Sequence, residues 1–306
     1  MKILITGALG HIGSSLFRKL EKNKKISKIY LVDNLLSQRY CSLFSVPKSK
    51  KFHFINLNLS SCKLEDIPKA NIVIHLAAKT DAAQSASFEK EFYSNNLQTT
   101  KKMIKYCKKN VSKLIFASST SVYGPQSLVV DEDCHKSELN PQSPYANIKL
   151  YEEKLIAKNL KKEKFIILRL GTIYGYSPGI RFHTAVNKFC FNASINTNIN
   201  VYKTALHQYR PYLSLKDAFK VFKFCIEKNF FHNDIFNVLS GNYTVNQIIT
   251  KIRKYKKNIN IKLVKSQIMN QLSYHVSQKK INRYGLILNS NIERDIRDTI
   301  KLLRNI

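Results

Sequence analysis

Long apolar runs, clustered cysteines and internal repeats are all missing from this 306-residue sequence. No stretch approaches the roughly 18 consecutive apolar residues that mark a membrane-spanning helix, so we expect no membrane span. The six cysteines include no CxxC pair and no cysteine–histidine cluster, which argues against a metal site. Dispersed cysteines of this kind favour buried thiols in a reducing compartment, and we expect a cytoplasmic protein.

Acidic residues are scarce, since 20 Asp and Glu face 51 Lys and Arg, for a formal net charge of +31. Such a charge is consistent with binding to nucleic acid or to another anionic surface. Lysine supplies 41 of the positive charges and is spread along the chain, which also has 28 asparagines. An AT-rich coding bias produces such a composition even in a protein that has no anionic binding partner. We therefore expect no nucleic-acid partner, although the positive field would attract an anionic diphosphate substrate.

Apolar strand-like runs alternate with helical patterns over the first part of the chain. Near-continuous apolar runs such as Ile-Val-Ile-His-Leu, which ends at Leu76, indicate strands buried on both faces, as in a parallel sheet. The pattern predicts an α/β fold with a doubly wound parallel sheet of Rossmann type and a smaller C-terminal α/β lobe. The predicted strands are Lys2–Thr6, Lys28–Asp33, Phe52–Leu57, Asn71–Leu76, Lys113–Ser118 and Phe165–Leu170, and the predicted helices between them are Ile12–Lys22, Phe88–Lys109 and Tyr145–Lys161.

The pattern becomes more irregular after Gly175, and asparagine is dense over residues 192–200. Regular elements return with a helix near 215–228, a strand near 235–239 and two helices near 245–257 and 292–303. We predict that residues 1–174 form the Rossmann domain, to which residues 215–240 return. Residues 175–214 and 241–306 would form a substrate-binding lobe, with a substrate cleft between the two.

A glycine-rich turn follows the first predicted strand and opens the first predicted helix. Gly7 allows the tight turn, Gly10 lets the backbone approach a pyrophosphate, and Gly13 lets the helix pack closely. The helix N-terminus supplies amide N–H groups and a positive dipole end for phosphates. Asp33 ends the second strand 20 residues after Gly13, where a carboxylate accepts hydrogen bonds from a ribose 2′-hydroxyl and repels a 2′-phosphate. The combination predicts NAD, in preference to NADP, as the cofactor.

Tyr145 and Lys149 are four residues apart near the start of a predicted helix, so they share one face. A nearby ammonium favours the phenolate form of a tyrosine, which could then remove a proton from a substrate hydroxyl as hydride leaves the same carbon. The hydroxyl-rich segment that includes Ser119 follows the fifth strand, at the sheet edge where ligands bind in such folds. A hydroxyl there can hold the reacting oxygen against Tyr145.

These motifs together resemble the extended short-chain dehydrogenase/reductase superfamily, and specifically its NAD-dependent epimerase/dehydratase family. The similarity runs through nearly the whole chain, and the motifs occur in the family's order. They are TGALGHIG, Asp33-Asn34-Leu35, His75-Leu76-Ala77-Ala78, Asn96, Ser119 with Val122-Tyr123-Gly124, Tyr145 with Lys149, Arg169 followed by Ile173-Tyr174-Gly175, Gln208-x-Arg210-Pro211-Tyr212 before Asp217, and Phe236-Asn237-Val238.

The resemblance implies a role for each matching position. Ser119, Tyr145 and Lys149 would be the catalytic residues, with Lys149 also holding the nicotinamide ribose, and Arg210 would pair with a substrate diphosphate. The expected cofactor contacts are Gly7, Gly10, His11, Ile12, Gly13, Asp33, Asn34, Asn58, Leu59, Leu76, Ala77, Ala78, Asn96, Tyr145 and Lys149. The expected substrate contacts are Ser85, Ser119, Thr120, Thr172 and Arg210.

The sequence departs from the family pattern at three sites, which comprise four residues. Asn58-Leu59 stands where an aspartate usually precedes the leucine near the adenine, and an asparagine there can still accept a hydrogen bond. Thr172 stands where many members have an asparagine that faces the substrate nucleotide. Thr120 and Ser121 replace the Asp-Glu pair with which the 4,6-dehydratases eliminate water, which argues against a dehydratase.

The resemblance implies a nucleotide-sugar substrate and a place in polysaccharide biosynthesis. We expect a nucleotide-sugar epimerase that acts at C4 through a transient keto-sugar. A nucleotide-sugar dehydrogenase or keto-sugar reductase with the same Ser/Tyr/Lys site is the alternative, and a non-catalytic NAD-binding protein with a nucleic-acid or protein partner is a more remote one. Many relatives dimerise through the long helices that correspond to residues 88–109 and 145–161, so we expect a homodimer.

Overall fold

A computed structural model describes residues 1–81, 85–125, 129–162, 164–265 and 273–303 of the chain. Its strands are β1 (Lys2–Thr6), β2 (Lys28–Asp33), β3 (Phe52–Asn56), β4 (Ile72–His75), β5 (Lys113–Ser119), β6 (Val129–Val130), β7 (Phe165–Leu170), β8 (Thr172–Tyr174), β9 (Ile199–Tyr202), β10 (Tyr209–Ser214), β11 (Asp234–Val238), β12 (Gly241–Thr244), β13 (Ile261–Val264) and β14 (His275–Val276). Its α-helices are α1 (His11–Leu20), α2 (Glu89–Asn110), α3 (Pro144–Asn159), α4 (Ala185–Ser194), α5 (Leu215–Glu227), α6 (Val245–Arg253), α7 (Lys279–Asn282) and α8 (Ile292–Leu303). Short 3-10 helices cover Tyr40–Leu43, Thr120–Tyr123, Lys136–Glu138 and Lys203–Ala205.

Seven parallel strands form the central sheet in the order β11-β7-β5-β4-β1-β2-β3, which confirms the predicted doubly wound α/β fold. Successive side chains of a strand point to opposite sides, and helices pack on both faces of the sheet. Ile3 and Ile5 of β1 pack in a core with α1 and α5, while Leu4 packs in a second core with α2 and α3. Because all seven strands are parallel, they end at the same edge of the sheet, where their C-terminal residues come together.

The C-terminal part adds smaller sheets and a third core. Strands β12, β10 and β8 form a mixed sheet, and β9 pairs with β13. The apolar faces of α4, α6 and α8 enclose a separate core around Phe189, Ile248 and Ile296. In contrast, α5 packs on α1, β11 joins the central sheet beside β7, and Ile281 of α7 lies in the first core. The segment around α7, which the sequence places in the second lobe, thus contacts the central sheet.

The structure differs from the sequence prediction mainly after Gly175. The asparagine-dense segment contains the end of α4 and the start of β9, where irregular chain was expected. In β9, Ile199 and Val201 are buried and the residues on either side of them are exposed. The alternation of apolar and polar residues that predicts a strand therefore involves only two apolar residues here. Among the described residues, no helix has the length and apolar composition to cross a membrane.

Candidate active site

A cavity of about 900 Å³ lies at the C-terminal edge of the central sheet, between the sheet and the smaller lobe. Its size is typical of a site for a cofactor or small ligand. Both parts of the chain contribute to its walls. The sheet side supplies the glycine turn and the ends of β2, β4 and β5, and the other side supplies Thr172, Arg181 and Arg210.

The glycine turn after β1 packs closely against the backbone that follows β4 and against the start of α1. Gly7 has φ +65°, and a Cβ there would lie 2.7 Å from the amide nitrogen of Ala77. A Cβ on Gly13 would lie 2.6 Å from the carbonyl oxygens of residues 7 and 8, so α1 packs directly on the turn. Gly10 is the N-cap of α1, which has no side-chain cap, and Gly10, His11 and Ile12 line the cavity. The uncapped amides and the glycine cradle fit the pyrophosphate of a dinucleotide.

His11 connects the start of α1 to the second half of the chain. Burial, followed by the charge of Arg181, lowers its pKa to about 3, so the ring is neutral. Its Nε2 lies 2.7 Å from the carbonyl oxygen of Gly175, which must accept the hydrogen bond. Ser177 Oγ donates to the His11 carbonyl oxygen at 2.8 Å, and the Gly179 amide donates to Ser14 Oγ at 3.0 Å. The segment after β8 is thereby fastened across the helix N-terminus.

Asp33 lies at the end of β2 and faces the cavity. Its Oδ2 accepts a hydrogen bond from the Leu9 amide at 3.0 Å, and its Oδ1 accepts one from the Leu35 amide at 3.0 Å. The carboxylate is thus fixed to the glycine turn in the position where the sequence predicts ribose recognition. Asn34 lines the cavity beside it.

Changing Asp33 to Ala should weaken NAD binding and reduce the preference for NAD over NADP, because a negative charge that repels a 2′-phosphate is lost. Calorimetric titration with each dinucleotide measures both effects. Asp33→Asn is the matched control, since it retains an oxygen for one of the backbone amides but removes the charge, and should relax the preference with less loss of NAD affinity. An unchanged preference in both variants would place ribose recognition elsewhere.

Asn58 and Leu59 line the cavity near β2, as expected for the adenine end. Leu59 is buried, with 4% of its surface exposed. Asn58 Oδ1 accepts hydrogen bonds from the amide and the hydroxyl of Ser60, at 3.1 and 2.8 Å. The acceptor that was expected to face the cofactor therefore also stabilises a local turn.

The three predicted catalytic residues line the same cavity. Ser119 ends β5, and its Oγ accepts hydrogen bonds from the amide and hydroxyl of Ser121, at 3.2 and 2.9 Å. Tyr145 is the second residue of α3 because Ser143 caps the helix, accepting from the Ala146 amide at 3.2 Å, and Pro144 occupies its first position. Lys149 follows one helical turn later. The arrangement gives a hydroxyl, a phenol and an ammonium in the lining of one cavity.

Lys149 has a carboxylate partner that the sequence prediction did not include. Its Nζ lies 3.0 Å from Glu152 Oε2 and 4.5 Å from the centre of the Phe116 ring. The two charged side chains are 4% and 1% exposed. The Lys149 ammonium, on the helix one turn after Tyr145, is therefore buried next to a buried carboxylate.

The remaining predicted residues divide into two groups. Leu76, Ala77, Ala78, Thr120, Thr172 and Arg210 line the cavity. Asn96 and Ser85 do not line it: the side-chain amide of Asn96 makes two hydrogen bonds with the backbone of Lys79, at 2.8 and 3.0 Å, and Ser85 Oγ accepts from the Tyr145 amide at 3.3 Å. These two residues hold neighbouring backbone in place, and their direct contacts with cofactor or substrate stay a prediction.

Arg39, Arg181 and His183 line the cavity as well, and the sequence reasoning missed them. Arg181 donates to Thr80 Oγ1, while its buried Nε has no hydrogen-bond partner among the described residues. Burial lowers the pKa of Arg181, and burial together with Arg181 lowers the pKa of His183 to about 4. Arg181 follows no motif and is one of ten arginines, so the sequence carried no signal for it. The cluster makes this wall suitable for an anionic group.

Comparison with known proteins adds an independent observation. Residues 3–238 match the NAD dependent epimerase/dehydratase family. A dTDP-D-glucose 4,6-dehydratase of Dictyostelium discoideum is 35% identical over 78% of this chain and 58% of its own length. An uncharacterised UDP-glucose epimerase of Bacillus subtilis is 32% identical over 61% of this chain and 62% of its own. The chain therefore spans about three fifths of the length of these curated relatives.

Solved structures share the fold over the full length of the chain. The UDP-glucuronic acid 4-epimerase of Bacillus cereus, solved with UDP-glucuronic acid and NAD, is 25% identical. The superposition covers 99% of this chain and 100% of that one, with a TM-score of 0.88. The UDP-glucose 4-epimerase of Thermus thermophilus, solved with NAD, is 20% identical, and its superposition covers 99% of each chain with a TM-score of 0.81, which speaks for the fold alone.

Proposed function

We infer the function of this chain from the premise that it belongs to the NAD dependent epimerase/dehydratase family. We propose that it is an NAD-dependent nucleotide-sugar epimerase that inverts C4 of the sugar through a transient keto-sugar. The observation that carries the proposal is that the glycine turn, Ser119, Tyr145 and Lys149 all line the same cavity. Relatives and similar structures named as epimerases of UDP-sugars support the same reading.

The proposed chemistry follows from the cavity residues. Bound NAD would accept hydride from the sugar carbon and return it to the opposite face. Tyr145 would take the proton of the C4 hydroxyl and later give it back, while Ser119 holds the reacting oxygen. The Lys149 ammonium would face the ribose of the cofactor and favour the deprotonated phenol. The start of α1 would hold the pyrophosphate of the cofactor, because Gly10, His11 and Ile12 line the cavity where the helix amides have no side-chain cap.

Positively charged side chains in the cavity lining support an anionic substrate. The Cζ atom of Arg210 lies 5.9 Å from the centre of the Tyr274 ring, and Arg210 has no salt bridge among the described residues. A guanidinium without a carboxylate partner is suited to a diphosphate. We propose that residues 175–214 and 241–306 bind the nucleotide-sugar, with Arg210 and Arg181 supplied from this part to the cavity, beside Thr172. The direct contacts of Thr120 remain a prediction.

A dehydratase is the second candidate because one relative is named as a 4,6-dehydratase. The cavity wall does not favour it: Thr120 Oγ1 donates to the Leu170 carbonyl oxygen at 3.4 Å, and Ser121 Oγ donates to Ser119 Oγ. Neither hydroxyl can serve as the carboxylate acid or base that eliminates water. A dehydrogenase or keto-sugar reductase would use the same Ser119, Tyr145 and Lys149, so it is separated from the epimerase only by its products.

Incubation of the purified protein with UDP-, dTDP- and GDP-sugars should give the C4-inverted sugar without net formation of reduced nicotinamide. Chromatography of the sugars measures inversion, and nicotinamide absorbance measures net redox change. Stoichiometric NADH formation would instead identify a dehydrogenase, and loss of water from the sugar a dehydratase. No turnover of any sugar, combined with a salt-sensitive mobility shift of DNA or RNA, would favour the non-catalytic alternative.

The homodimer remains a prediction. Helices α2 and α3 pack together, and their exposed faces carry Tyr93 and Tyr151, whose ring centres are 6.3 Å apart. Apolar rings on this face would suit contact with a second copy of the chain.

A further inference from the structure

A chain of buried hydrogen bonds begins at the cavity wall beyond β4. The amides of Leu76 and Ala77, two of the expected cofactor contacts, each donate to Thr6 Oγ1 at 3.2 Å. Thr6 Oγ1 lies 2.7 Å from His75 Nδ1, and His75 Nε2 lies 3.1 Å from Thr100 Oγ1 on α2. This series of hydrogen bonds thus leads from the backbone at the cavity into the interior of the protein.

The series of hydrogen bonds ends at Glu152, which the proposed chemistry does not use. Thr100 Oγ1 donates to Glu152 Oε1 at 2.5 Å. Burial, followed by the charge of Lys149, lowers the pKa of His75 to about 3, so its neutral ring carries a single N–H. A carboxylate can only accept, so Thr100 donates to Glu152, His75 Nε2–H donates to Thr100, and Nδ1 accepts from Thr6. The carboxylate at the end fixes the direction of every bond.

The second oxygen of Glu152 faces Lys149. Oε2 is buried and lies 3.0 Å from Lys149 Nζ, and no described residue gives it an aligned hydrogen bond. It is therefore held by charge, while Oε1 is held by Thr100. Lys149 is one helical turn from Tyr145, so a change of charge next to the ammonium is a change of charge near the phenol.

Other charged groups near these residues do not replace Glu152. Glu153 is the next residue on α3, and its Oε2 lies 2.7 Å from Arg169 Nη2. Tyr145 and Asp81 act electrostatically on Arg181, and Arg181 acts on His11. Among the described residues, Glu152 is the carboxylate that contacts the Lys149 ammonium.

We propose that Glu152 is a positioning residue that holds the Lys149 ammonium at the cavity wall and offsets its charge. Tyr145 then releases its proton at a higher pH than it would beside an unopposed ammonium. An epimerase needs the phenol both to take and to return a proton, so the net charge next to the phenol bears on both steps. The inference rests on the proposed function only for the role of Tyr145.

The test is a pH titration of the Tyr145 phenol in the full chain saturated with NAD. Near-ultraviolet absorbance of phenolate is recorded for each protein and for the same protein with Tyr145→Phe, and the difference isolates this one tyrosine. Removing the charge with Glu152→Gln should lower the midpoint by about one pH unit, the size expected for one uncompensated charge nearby. Glu152→Met, which removes the charge without leaving a polar end, is measured in parallel and should act in the same direction. Glu152→Asp keeps the charge and should restore the midpoint towards that of the unchanged protein.

Glu153→Gln is the matched control, because it removes a buried carboxylate one residue away that faces Arg169. It should lower the unfolding temperature without moving the phenol midpoint. Equal midpoints in Glu152→Gln, Glu152→Met and the unchanged protein, or an equal shift in Glu153→Gln, would overturn the proposal. No sugar is present in the titration, so a shifted midpoint in a protein that turns over no sugar would support the role of Glu152 while contradicting the epimerase.

Discussion

Tyr145→Phe should lower kcat for sugar inversion by about 10²–10⁴-fold, the usual contribution of a general acid–base residue. The ring remains, so packing at the start of α3 is preserved, while the hydroxyl that would accept and return the proton is lost. NAD affinity should change little, because the proposed cofactor contacts lie mainly on the glycine turn and the end of β2. Steady-state turnover and calorimetric titration with NAD measure the two effects separately.

Tyr151→Phe is the matched control for this prediction. Tyr151 lies on the same helix, is 42% exposed, has its ring centre 6.3 Å from that of Tyr93 and does not line the cavity. The change removes the same hydroxyl from the same helix and should leave turnover within about twofold, as expected for a surface substitution. Full activity in Tyr145→Phe would show that another group moves the proton.

Much of the fold follows from local sequence patterns. The bounds of β1, β2 and β7 agree with the prediction because each is a continuous apolar run that a parallel sheet buries on both faces. The positions of Asp33 and Ser119 at the cavity follow from the same fact, since parallel strands that end together bring their next residues to one edge.

Tertiary packing decides the features that the sequence did not predict. Lys149 and Glu152 have the i, i+3 spacing of an ordinary exposed pair, and only the contact of α3 with α2 and β5 buries them. Asn96 and Ser85 have the residue types of ligand contacts, but their hydrogen bonds go to neighbouring backbone. Arg181 reaches the cavity because the segment after β8 is fastened across α1 by contacts between residues about 165 positions apart, such as Gly179 with Ser14.

Arg169 forms the centre of a second buried network, which supports β5 beside Ser119. Its Nη2 lies 2.7 Å from Glu153 Oε2, its guanidinium covers the Tyr123 ring at 4.8 Å, and Ser118 Oγ donates to Glu153 Oε1 at 2.5 Å. Burial alone would lower the pKa of Arg169, but the hydrogen bonds and charge of Glu153 outweigh it and raise the pKa. The guanidinium is therefore charged in the folded protein, and about 3% of each side chain of the pair is exposed.

Arg169→Met should lower the free energy of unfolding by about 3–5 kcal/mol, because it leaves the Glu153 carboxylate buried without its cation. Urea unfolding followed by circular dichroism measures the change. The double variant Arg169→Met/Glu153→Leu removes both charges and should recover most of the loss, since an apolar pair of similar volume can replace a buried ion pair. If the double variant is as unstable as the single one, packing around Tyr123 and Ser118, rather than the unpaired charge, is what the arginine stabilises.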